Sequence, residues 1–578
     1  CISRSADFIA NHLSVYFAPN THLLAEGFAL FIVGALFPEL KGAQGWYDLG
    51  QHILTEEMQK QVREDGSHFE QSLFYHRYAS EFFLCALILA KRNNIAFPPS
   101  YAARLERMLE YLLFTAWPSG MHPSVGDSDG GRLIPFGAFD ATDHRPVLST
   151  AAVYFARGDF KKASGEYHEQ TLWLLGRASL TTHAGLTEEL PNETSRAFSD
   201  SGIVTLRSDW GDRAKFLLFD AGSQGMGLSG HGHSDSLSLL CAANGVEWLV
   251  DPGTYVYSSS REWRNFFRST CAHNTISLDG LNQAEEVDWF KWRKLPRVRL
   301  QTEFLHPAAD FVIGSHDGYE RLAQPVNHRR KVVFIKPDYW LISDELAGTG
   351  QHLVRAFFHF GPDIALQPYK QAWLATKGRE SFLLWPLRSG LRFDVIRGDA
   401  SSLQGWVSSD YGHKEPASVL VGEVDEHLPL QFHWLLVPVS SPEEMPDVLE
   451  SPSDGVSFSV RTERWVDFVE AHGWSKLDTN TNLPPEACLS IVRRDSQGRI
   501  KRVVLFNGNP VEEDELSVSR VEYPFSYFVA DWEDDSLKIE ANPVPEFRIQ
   551  TARVKHLSVN GRIRDLSHET SILIPREK

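Results

Sequence analysis

The densest group of chemically capable side chains lies between residues 229 and 275. It falls in three segments: 229–235 (SGHGHSD), 251–257 (DPGTYVY) and 272–275 (AHNT). Residues two apart in a strand share a face, so the spacing predicts that His231, His233 and Asp235 point the same way at the end of a buried strand. Imidazoles and carboxylates bind metals and transfer protons, which predicts a site of that kind here. The alternative is a set of surface polar residues beside a turn.

A second cluster is the segment 19–26 (PNTHLLAE), which has the pattern of a helix start. Asn20 or Thr21 is the expected N-cap, because a short polar side chain accepts a hydrogen bond from a free backbone N–H. His22 and Glu26 are four residues apart and therefore share one helix face. The same pattern is typical of a capped helix that carries a polar pair and has no catalytic role.

Two further segments carry polar side chains beside glycines. In 65–76 (DGSHFEQSLFYH), a glycine turn leads into a helix that carries Tyr75, which is either a reactive group or an ordinary half-buried tyrosine. The segment 126–132 (GDSDGGR) resembles a cation-binding loop, but it lacks the full calcium spacing. We expect it to form a turn near the site.

The elements that must position these residues change character along the chain. Apolar residues at spacings of three and four predict helices near 2–17, 23–40, 48–63, 70–92, 101–116 and 146–162. Paired helices of this length suggest all or part of an (α/α) toroid. From about residue 200, short β-type runs separated by turn signals predict strands at 215–219, 236–241, 248–250, 274–278, 331–335, 340–344, 352–360, 503–506, 549–554 and 570–574.

This order of elements predicts an α+β protein with several domains in series. We expect an (α/α) toroid over 1–185, an antiparallel β-sandwich over 186–440 and a smaller β-rich domain over 441–578. The toroid is too short to be complete, so we expect helices to be missing before residue 1.

Bulk properties exclude some classes of function. The 578 residues carry a formal net charge of −18, which argues against a nucleic-acid binder, and no segment is apolar enough to span a membrane. An acidic polysaccharide is still allowed, because Arg261, Arg264 and Arg268 form a candidate cationic patch. The five cysteines are widely scattered and are predicted to be free, buried thiols, although Cys241 and Cys271 have sequence positions that allow an approach.

Taken in order, the motifs resemble the heparinase II/III-like superfamily of polysaccharide lyases. The pattern runs from NxHxxxE through DGxxxEQSxxYH, GDxDGGR, HGHSDxLS and DPGTYxY to FRSTxAHNT, and later segments at 318–333 and 338–344 fit the same family. The resemblance covers roughly residues 15 to 360. It implies an (α/α) toroid joined to an antiparallel β-sandwich, with the active site in the cleft between them.

The resemblance implies β-elimination at a uronic acid, which leaves a 4,5-unsaturated uronate end. Hydrogen-bond donors must hold the uronate carboxylate, a base must remove the C5 proton, and an acid must protonate the leaving oxygen. By resemblance, Asn20 and His22 would contact the carboxylate, Tyr75 would act as acid or base, and His231 as base. Relatives often have Asn directly before the histidine, where this chain has Thr21. The implied substrate contacts are Glu26, Gln71, His76, Tyr255, Tyr257, Arg264 and Arg268.

The resemblance also implies one divalent metal ion, with zinc as the expected metal and no organic cofactor. Its ligands would be His233, Asp251 and His273, and its role would be structural, orienting His231 and the Tyr255 loop. Family resemblance further implies a bacterial protein of the periplasm or the secreted fraction, and it allows a homodimer.

The leading interpretation is a lyase acting on a heparin- or heparan-type glycosaminoglycan or an alginate-like polymer. One alternative is a glycoside hydrolase on an (α/α) barrel, with Glu26 and either Asp127 or Asp129 as its two carboxylates. A second alternative is a non-catalytic carbohydrate-binding protein. The HxH pattern also occurs in cupin oxygenases, but no glutamate follows at the cupin spacing.

Overall fold

The computed structural model describes most of the chain. The residues outside the description are 17, 137–139, 226, 388–389, 442–443, 452–455, 473–487, 507–510, 513–515, 519–526, 551–552, 567–570 and 576–578. The described residues divide into two compact units, which comprise 1–338, 348–378 and 390–428 on the one hand and 339–347, 379–389 and 429–578 on the other. The three-domain division expected from the sequence stays a prediction.

Helices dominate the first 185 residues, as the apolar periodicity predicts. The described helices are α1 Ile2–Asn11, α2 Thr21–Leu36, α3 Ala43–Gln61, α4 Leu73–Arg92, α5 Pro99–Thr115, α6 Arg145–Phe155, α7 Gly158–Ser164, α8 Glu169–Leu175, α9 Ala178–Gly185 and, much later, α10 Arg261–Phe267. The helix predicted over 146–162 is two helices, because Ala156 adopts a left-handed conformation with φ 56° and ends the first of them. The helix predicted from residue 2 ends at Asn11.

The helices pack around α4, whose residues are buried on nearly every face. Beside it, α2 and α3 approach each other closely at glycines. A Cβ atom on Gly50 would lie 2.3 Å from the backbone nitrogen of Phe31, and one on Gly27 would lie 2.4 Å from Ile53. Only glycine fits this approach, which packs the middle of α2 directly on α3.

Strands follow, as predicted. They are β1 Arg196–Phe198, β2 Ile203–Arg207, β3 Phe216–Asp220, β4 Leu239–Ala243, β5 Val246–Leu249, β6 Ile276–Leu278, β7 Glu285–Asp288, β8 Lys291–Arg293, β9 Val298–Phe304, β10 Ala309–Tyr319, β11 Val326–Ile335, β12 Tyr339–Gly348, β13 Gln351–His359, β14 Ala365–Tyr369, β15 Ala372–Lys377, β16 Glu380–Leu387, β17 Arg392–Arg397, β18 Trp406–Asp410, β19 His413–Pro416, β20 Ser418–His427, β21 Leu430–Val439, β22 Asp447–Glu450, β23 Val456–Arg461, β24 Trp465–His472, β25 Cys488–Asp495, β26 Ile500–Phe506, β27 Val511–Glu512, β28 Leu516–Val518, β29 Tyr527–Glu533, β30 Ser536–Asn542, β31 Phe547–Gln550, β32 His556–Val559, β33 Arg562–Asp565 and β34 Ser571–Ile574.

The first unit contains the sheets that matter for the site. Strands β1 to β5 form an antiparallel sheet in sequence order, and a second sheet has the order β17-β20-β13-β6. Two hairpins, β7–β8 and β18–β19, stand beside them. The second unit contains a nine-stranded sheet, β22-β23-β24-β25-β26-β29-β30-β32-β33, in which β30 and β32 run parallel. The fold class predicted from the sequence is confirmed.

Other predictions from the sequence have mixed outcomes. Cys85 and Cys241 are buried free thiols as expected, but Cys1 is exposed and Cys271 is half-buried. Cys241 and Cys271 are both free, and the side chain of Cys488 lies outside the description. None of the described helices is long and apolar enough to cross a membrane.

Candidate active site

Tyr75 and His231 lie against each other in the first unit. Tyr75 is in the first turn of α4, where its backbone N–H donates to the capping hydroxyl of Ser72 over 3.2 Å. The rings of Tyr75 and His231 stack with centroids 4.0 Å apart. The Tyr75 hydroxyl lies 3.0 Å from that of Tyr257 and 3.3 Å from Oδ2 of Asp129. Two residues selected from separate motifs therefore share one site.

Asp127 holds this site together from beneath. Its carboxylate is fully buried and is bound by both terminal nitrogens of Arg264. It also lies 3.1 Å from Nδ1 of His231 and 2.9 Å from Nε2 of His233. Burial on its own would raise the pKa of Asp127, but Arg264 and the two histidines outweigh it and hold that pKa well below its usual range. Because an ionised carboxylate only accepts, the protonated Nδ1 of His231 donates a hydrogen bond to Asp127, which leaves Nε2 as the basic nitrogen.

The segment 126–132 is a scaffold for this carboxylate. The Asp127 N–H donates to the carbonyl of His231 over 2.9 Å, and Ser72 donates to the Asp127 carbonyl over 2.7 Å. Sequence reasoning placed this turn near the site, but it considered Asp127 only as a hydrolase carboxylate. A carboxylate that is fully buried and paired with Arg264 is not available to activate water, which disfavours that role. The glycines around two aspartates were the available signal.

Electrostatics at the site favour a neutral tyrosine and a basic histidine. Burial raises the pKa of Tyr75 far above its usual value, and the nearby Asp129 raises it further. For His231, burial lowers the pKa, but the hydrogen bond and charge of Asp127 together with the charge of Glu70 outweigh it, so the pKa is raised overall. Tyr75 is therefore protonated at neutral pH and suited to act as an acid.

Glu70 connects His231 to the start of α2. Its Oε1 lies 3.8 Å from Nε2 of His231 and accepts a hydrogen bond of 2.8 Å from the Asn20 side chain. Asn20, one of the two predicted N-caps, also caps α2, because its side chain accepts a hydrogen bond of 3.1 Å from the His22 N–H. The His22 side chain is exposed at this helix start. Glu26 instead accepts two hydrogen bonds from Ser14, its N–H and its hydroxyl. Glu70 was quoted within a motif, but it had no predicted role.

Several predicted substrate contacts have internal partners instead. His76 is 1% exposed, its Nδ1 accepts from the His68 N–H over 3.1 Å, and its Nε2 donates to the Met108 carbonyl over 2.8 Å. Both ring nitrogens of His76 are therefore occupied inside the helical core, which does not favour the predicted substrate contact. Gln71 donates to the Ser201 carbonyl over 2.8 Å.

The three arginines of the predicted cationic patch all have partners within the protein. Arg264 is buried on Asp127, and Arg268 is buried with one nitrogen on the Trp289 carbonyl over 3.1 Å. Arg261 pairs with Asp288 over 3.2 Å. Of the two tyrosines, Tyr257 lies beside Tyr75, whereas Tyr255 packs its ring against Trp263 and Phe267.

The predicted strand through His231 and His233 is in fact a loop, because β4 begins only at Leu239. Side chains and distant backbone groups bind this loop in place of a neighbouring strand. The Ser236 N–H donates to the Gln283 side chain over 2.8 Å, and Leu237 has a left-handed φ of 62°. The loop places His231 on Tyr75 and carries His233 into a separate buried cluster.

That cluster consists of His233, Asp235, Asp251 and His273, whose ligand atoms lie within 4.8 Å of one another. His273 Nδ1 lies 2.9 Å from Asp251, while His273 Nε2 and His233 Nδ1 are buried without a hydrogen-bond partner among the described residues. Two orphaned imidazole nitrogens beside carboxylates fit a divalent metal ion. The contact from His233 Nε2 to Asp127 is the support that metal-bound histidines usually have. Asp235 is a potential fourth ligand that the predicted set left out.

Comparisons with known proteins identify the family of the chain. Sequence models of the heparinase II/III family match residues 2–133 (Heparinase II/III N-terminus) and 190–449 (Heparinase II/III-like, C-terminal). The chain belongs to the heparinase II/III-like family.

Among curated relatives, the heparin-sulfate lyase of Bacteroides stercoris is 28% identical over 349 residues, which are 58% of this chain and 45% of that protein. The heparin-sulfate lyase of Pedobacter heparinus is 28% identical over 358 residues, 60% of this chain and 46% of that protein. The chain thus spans less than half the length of either relative.

Two solved structures have the same fold. The heparan sulfate lyase HepC from Pedobacter heparinus aligns with a TM-score of 0.62 and 22% identity, over 79% of this chain and 67% of its own. A heparinase III (the BT4657 gene product) aligns with a TM-score of 0.65 and 21% identity, over 87% of this chain and 67% of its own.

Proposed function

We propose that this chain is a polysaccharide lyase that cleaves a uronate-containing polymer by β-elimination. The observation that carries the proposal is the stack of Tyr75 on His231, with Asp127 on the far nitrogen of the imidazole. Membership of the heparinase II/III-like family supports it. The names of the relatives favour a heparin- or heparan-type glycosaminoglycan over an alginate-like polymer, and such a substrate favours a periplasmic or secreted protein.

The side chains have the properties that elimination requires. Asn20, held by Glu70, and His22, exposed at the start of α2, are donors for the uronate carboxylate. Neutralising that carboxylate makes the C5 proton more acidic. His231, with its free Nε2 and raised pKa, removes the proton, and the neutral Tyr75 hydroxyl protonates the departing glycosidic oxygen. For the opposite stereochemistry at C5, Tyr75 would have to be the base as well, and its raised pKa disfavours this because the hydroxyl must first lose its own proton.

We also propose that His233, Asp251 and His273 hold a divalent metal ion, zinc by donor type, with Asp235 beside them. When bound, the ion would supply structural cross-linking of the 229–238 loop to the segment that follows β5 and to the 272–275 segment. Elemental analysis of the purified chain should find about one metal ion, as expected for a closed structural site. His273→Ala should remove the bound metal and lower the melting temperature. The control His12→Ala, at an exposed histidine, should change neither the metal content nor the melting temperature. A metal-free chain with the same melting temperature would contradict the site.

Ultraviolet absorbance of the unsaturated product tests the reaction. The purified chain should raise the absorbance with at least one polymer among heparan sulfate, hyaluronan, chondroitin, alginate and polyglucuronate. Tyr75→Phe and His231→Ala should abolish the rise. Tyr154→Phe is the matched control, because the Tyr154 hydroxyl makes one long hydrogen bond of 3.5 Å to the Leu87 carbonyl in the helical core, and it should leave the rate unchanged. New reducing ends without absorbance would instead establish a hydrolase, and binding without cleavage a carbohydrate-binding protein.

A further inference from the structure

Two hairpin turns beside the candidate site carry aromatic residues. Trp289 and Phe290 form the two-residue turn of β7–β8, and Tyr411 and Gly412 form that of β18–β19. Turns of this length favour Asn and Gly, and an exposed aromatic ring there gains nothing for the turn itself. Phe290 and Tyr411 nevertheless both expose 39% of their surface. Loops that a rigid scaffold holds in place commonly carry binding residues.

Both rings border the predicted catalytic groups. The Phe290 ring meets those of His231 and Tyr257 edge to face, with centroids 5.7 Å and 5.2 Å apart. The Tyr411 ring meets that of Tyr257 at 5.2 Å. Because the Tyr257 hydroxyl lies 3.0 Å from that of Tyr75, a sugar held on Tyr75 would have an aromatic ring close by in each hairpin.

The first hairpin is held firmly in place. The Trp289 carbonyl accepts hydrogen bonds from Arg264 over 3.2 Å and from Arg268 over 3.1 Å. The Trp292 side chain donates to the Gly232 carbonyl over 3.0 Å, within the loop that carries His231. The buried arginines that were expected to bind substrate thus position the turn that presents Phe290.

The second hairpin is attached to the loop that carries Tyr257. The Tyr411 hydroxyl accepts from the Tyr257 N–H over 2.9 Å, and the Gly412 N–H donates to the Tyr255 carbonyl over 2.7 Å. The Ser408 N–H donates to the Pro252 carbonyl over 2.8 Å. A ring held in one position loses little conformational entropy when a ligand binds to it, so both rings are preorganised.

We propose that Phe290 and Tyr411 are substrate-binding residues that contact the pyranose rings next to the reacting uronate. The inference rests on the proposed function and adds to it the residues that grip the polymer. The C–H-rich face of a pyranose is apolar and packs on an aromatic ring, whereas sulfate and carboxylate groups project from the sugar edge. The contact therefore recognises the sugar ring itself, and sulfation should affect it little.

Affinity electrophoresis tests the inference, with gels that contain heparan sulfate, hyaluronan, chondroitin, alginate or polyglucuronate. All variants carry Tyr75→Phe, so that the polymer stays intact. The parent should be retarded by at least one polymer. Phe290→Ala and Tyr411→Ala should each weaken its apparent affinity about tenfold, the order expected for a lost ring contact. Phe290→Tyr, which keeps a ring, should stay within about twofold of the parent.

Phe8→Ala is the control for loss of an exposed ring, since Phe8 is 64% exposed on α1, and its retardation should match that of the parent. Equal melting temperatures exclude misfolding as the cause of a lost affinity. Unchanged affinity in Phe290→Ala and Tyr411→Ala, or a parent that no polymer retards, overturns the inference. Elimination by the unsubstituted chain is measured separately. If the unsubstituted chain eliminates but Phe290→Ala and Tyr411→Ala are retarded like the parent, only the aromatic contacts are rejected. If the two variants are retarded less but the unsubstituted chain does not eliminate, only the proposed lyase activity is rejected.

Discussion

Replacing Asp127 with Asn should damage both the stability of the protein and its proposed activity. Asp127 is the buried carboxylate shared by Arg264, His231 and His233. Asn has nearly the same shape but no charge, and its NH₂ group cannot accept a hydrogen bond. At least one of the three donors therefore loses its acceptor, and the guanidinium of Arg264 is left buried without a counter-charge.

The structure sets the expected magnitudes. Removing one partner of a fully buried ion pair typically costs about 3–5 kcal/mol of folding free energy. The proposed elimination should fall by a factor on the order of 10³–10⁴, as happens when the carboxylate behind a catalytic histidine is neutralised. The physical reason is that the amide NH₂ can donate to Nδ1 of His231, which moves the ring proton to Nε2 and removes the base.

Urea unfolding and initial elimination rates measure the two effects. Asp129→Asn is the control for the unfolding measurement only, because Asp129 is exposed two residues further on but accepts a hydrogen bond from the Tyr75 hydroxyl. Its stability should change by less than about 0.5 kcal/mol. Adding Arg264→Met to Asp127→Asn removes the stranded charge and should restore part of the stability. The reasoning is refuted if Asp127→Asn and Asp129→Asn have the same free energy of unfolding. It is also refuted if Arg264→Met lowers the stability of the Asp127→Asn variant further and restores none of it.

Two further predictions concern stability. A Cβ atom on Gly232 would lie 1.8 Å from the Gln224 carbonyl, so Gly232→Ala should lower the free energy of unfolding in urea by about 1–3 kcal/mol. The control Gly45→Ala lies in open space within α3 and should cost no stability. Equal urea midpoints for the two variants would contradict the tight loop. Burial lowers the pKa values of His76 and His122 to about 4, so the unfolded chain binds more protons below about pH 6.5 and stability falls as the pH is lowered towards 4. Between pH 7 and pH 5 each of these two histidines should account for a loss of about 2 kcal/mol in the free energy of unfolding. His122→Gln should therefore lose correspondingly less stability over this pH range than the unsubstituted protein. An identical loss would show that His122 is already protonated in the folded protein.

Most of the fold was predictable because its signals are local. Apolar residues at helical spacing predict α2 to α6, and alternating runs predict strands such as β3, β11 and β13. The errors have local causes too. Ala156 turns left-handed and splits one predicted helix into α6 and α7. The segment 229–238 looked like a strand by its alternation, but Gln283 and other distant groups satisfy its backbone.

The sequence by itself determined which residue types are available and in what order. Tyr75, His231 and the His233, Asp251 and His273 set stand out by motif, and the structure brings Tyr75 to His231 and places the other three in one buried cluster. Side-chain chemistry and the fold class are properties of the chain that need no coordinates.

Only the tertiary structure decided which of these groups face one another and which form hydrogen bonds or ion pairs inside the protein. Asp127 lies 137 residues from Arg264 in sequence and still pairs with it, His76 is bound by backbone groups of the core, and Phe290 and Tyr411 border the same tyrosine. Burial, pairing and pKa depend on neighbours that long-range packing supplies. No local pattern encodes them, because an arginine can bind substrate when it is exposed but has a structural role when it forms a buried ion pair with a carboxylate.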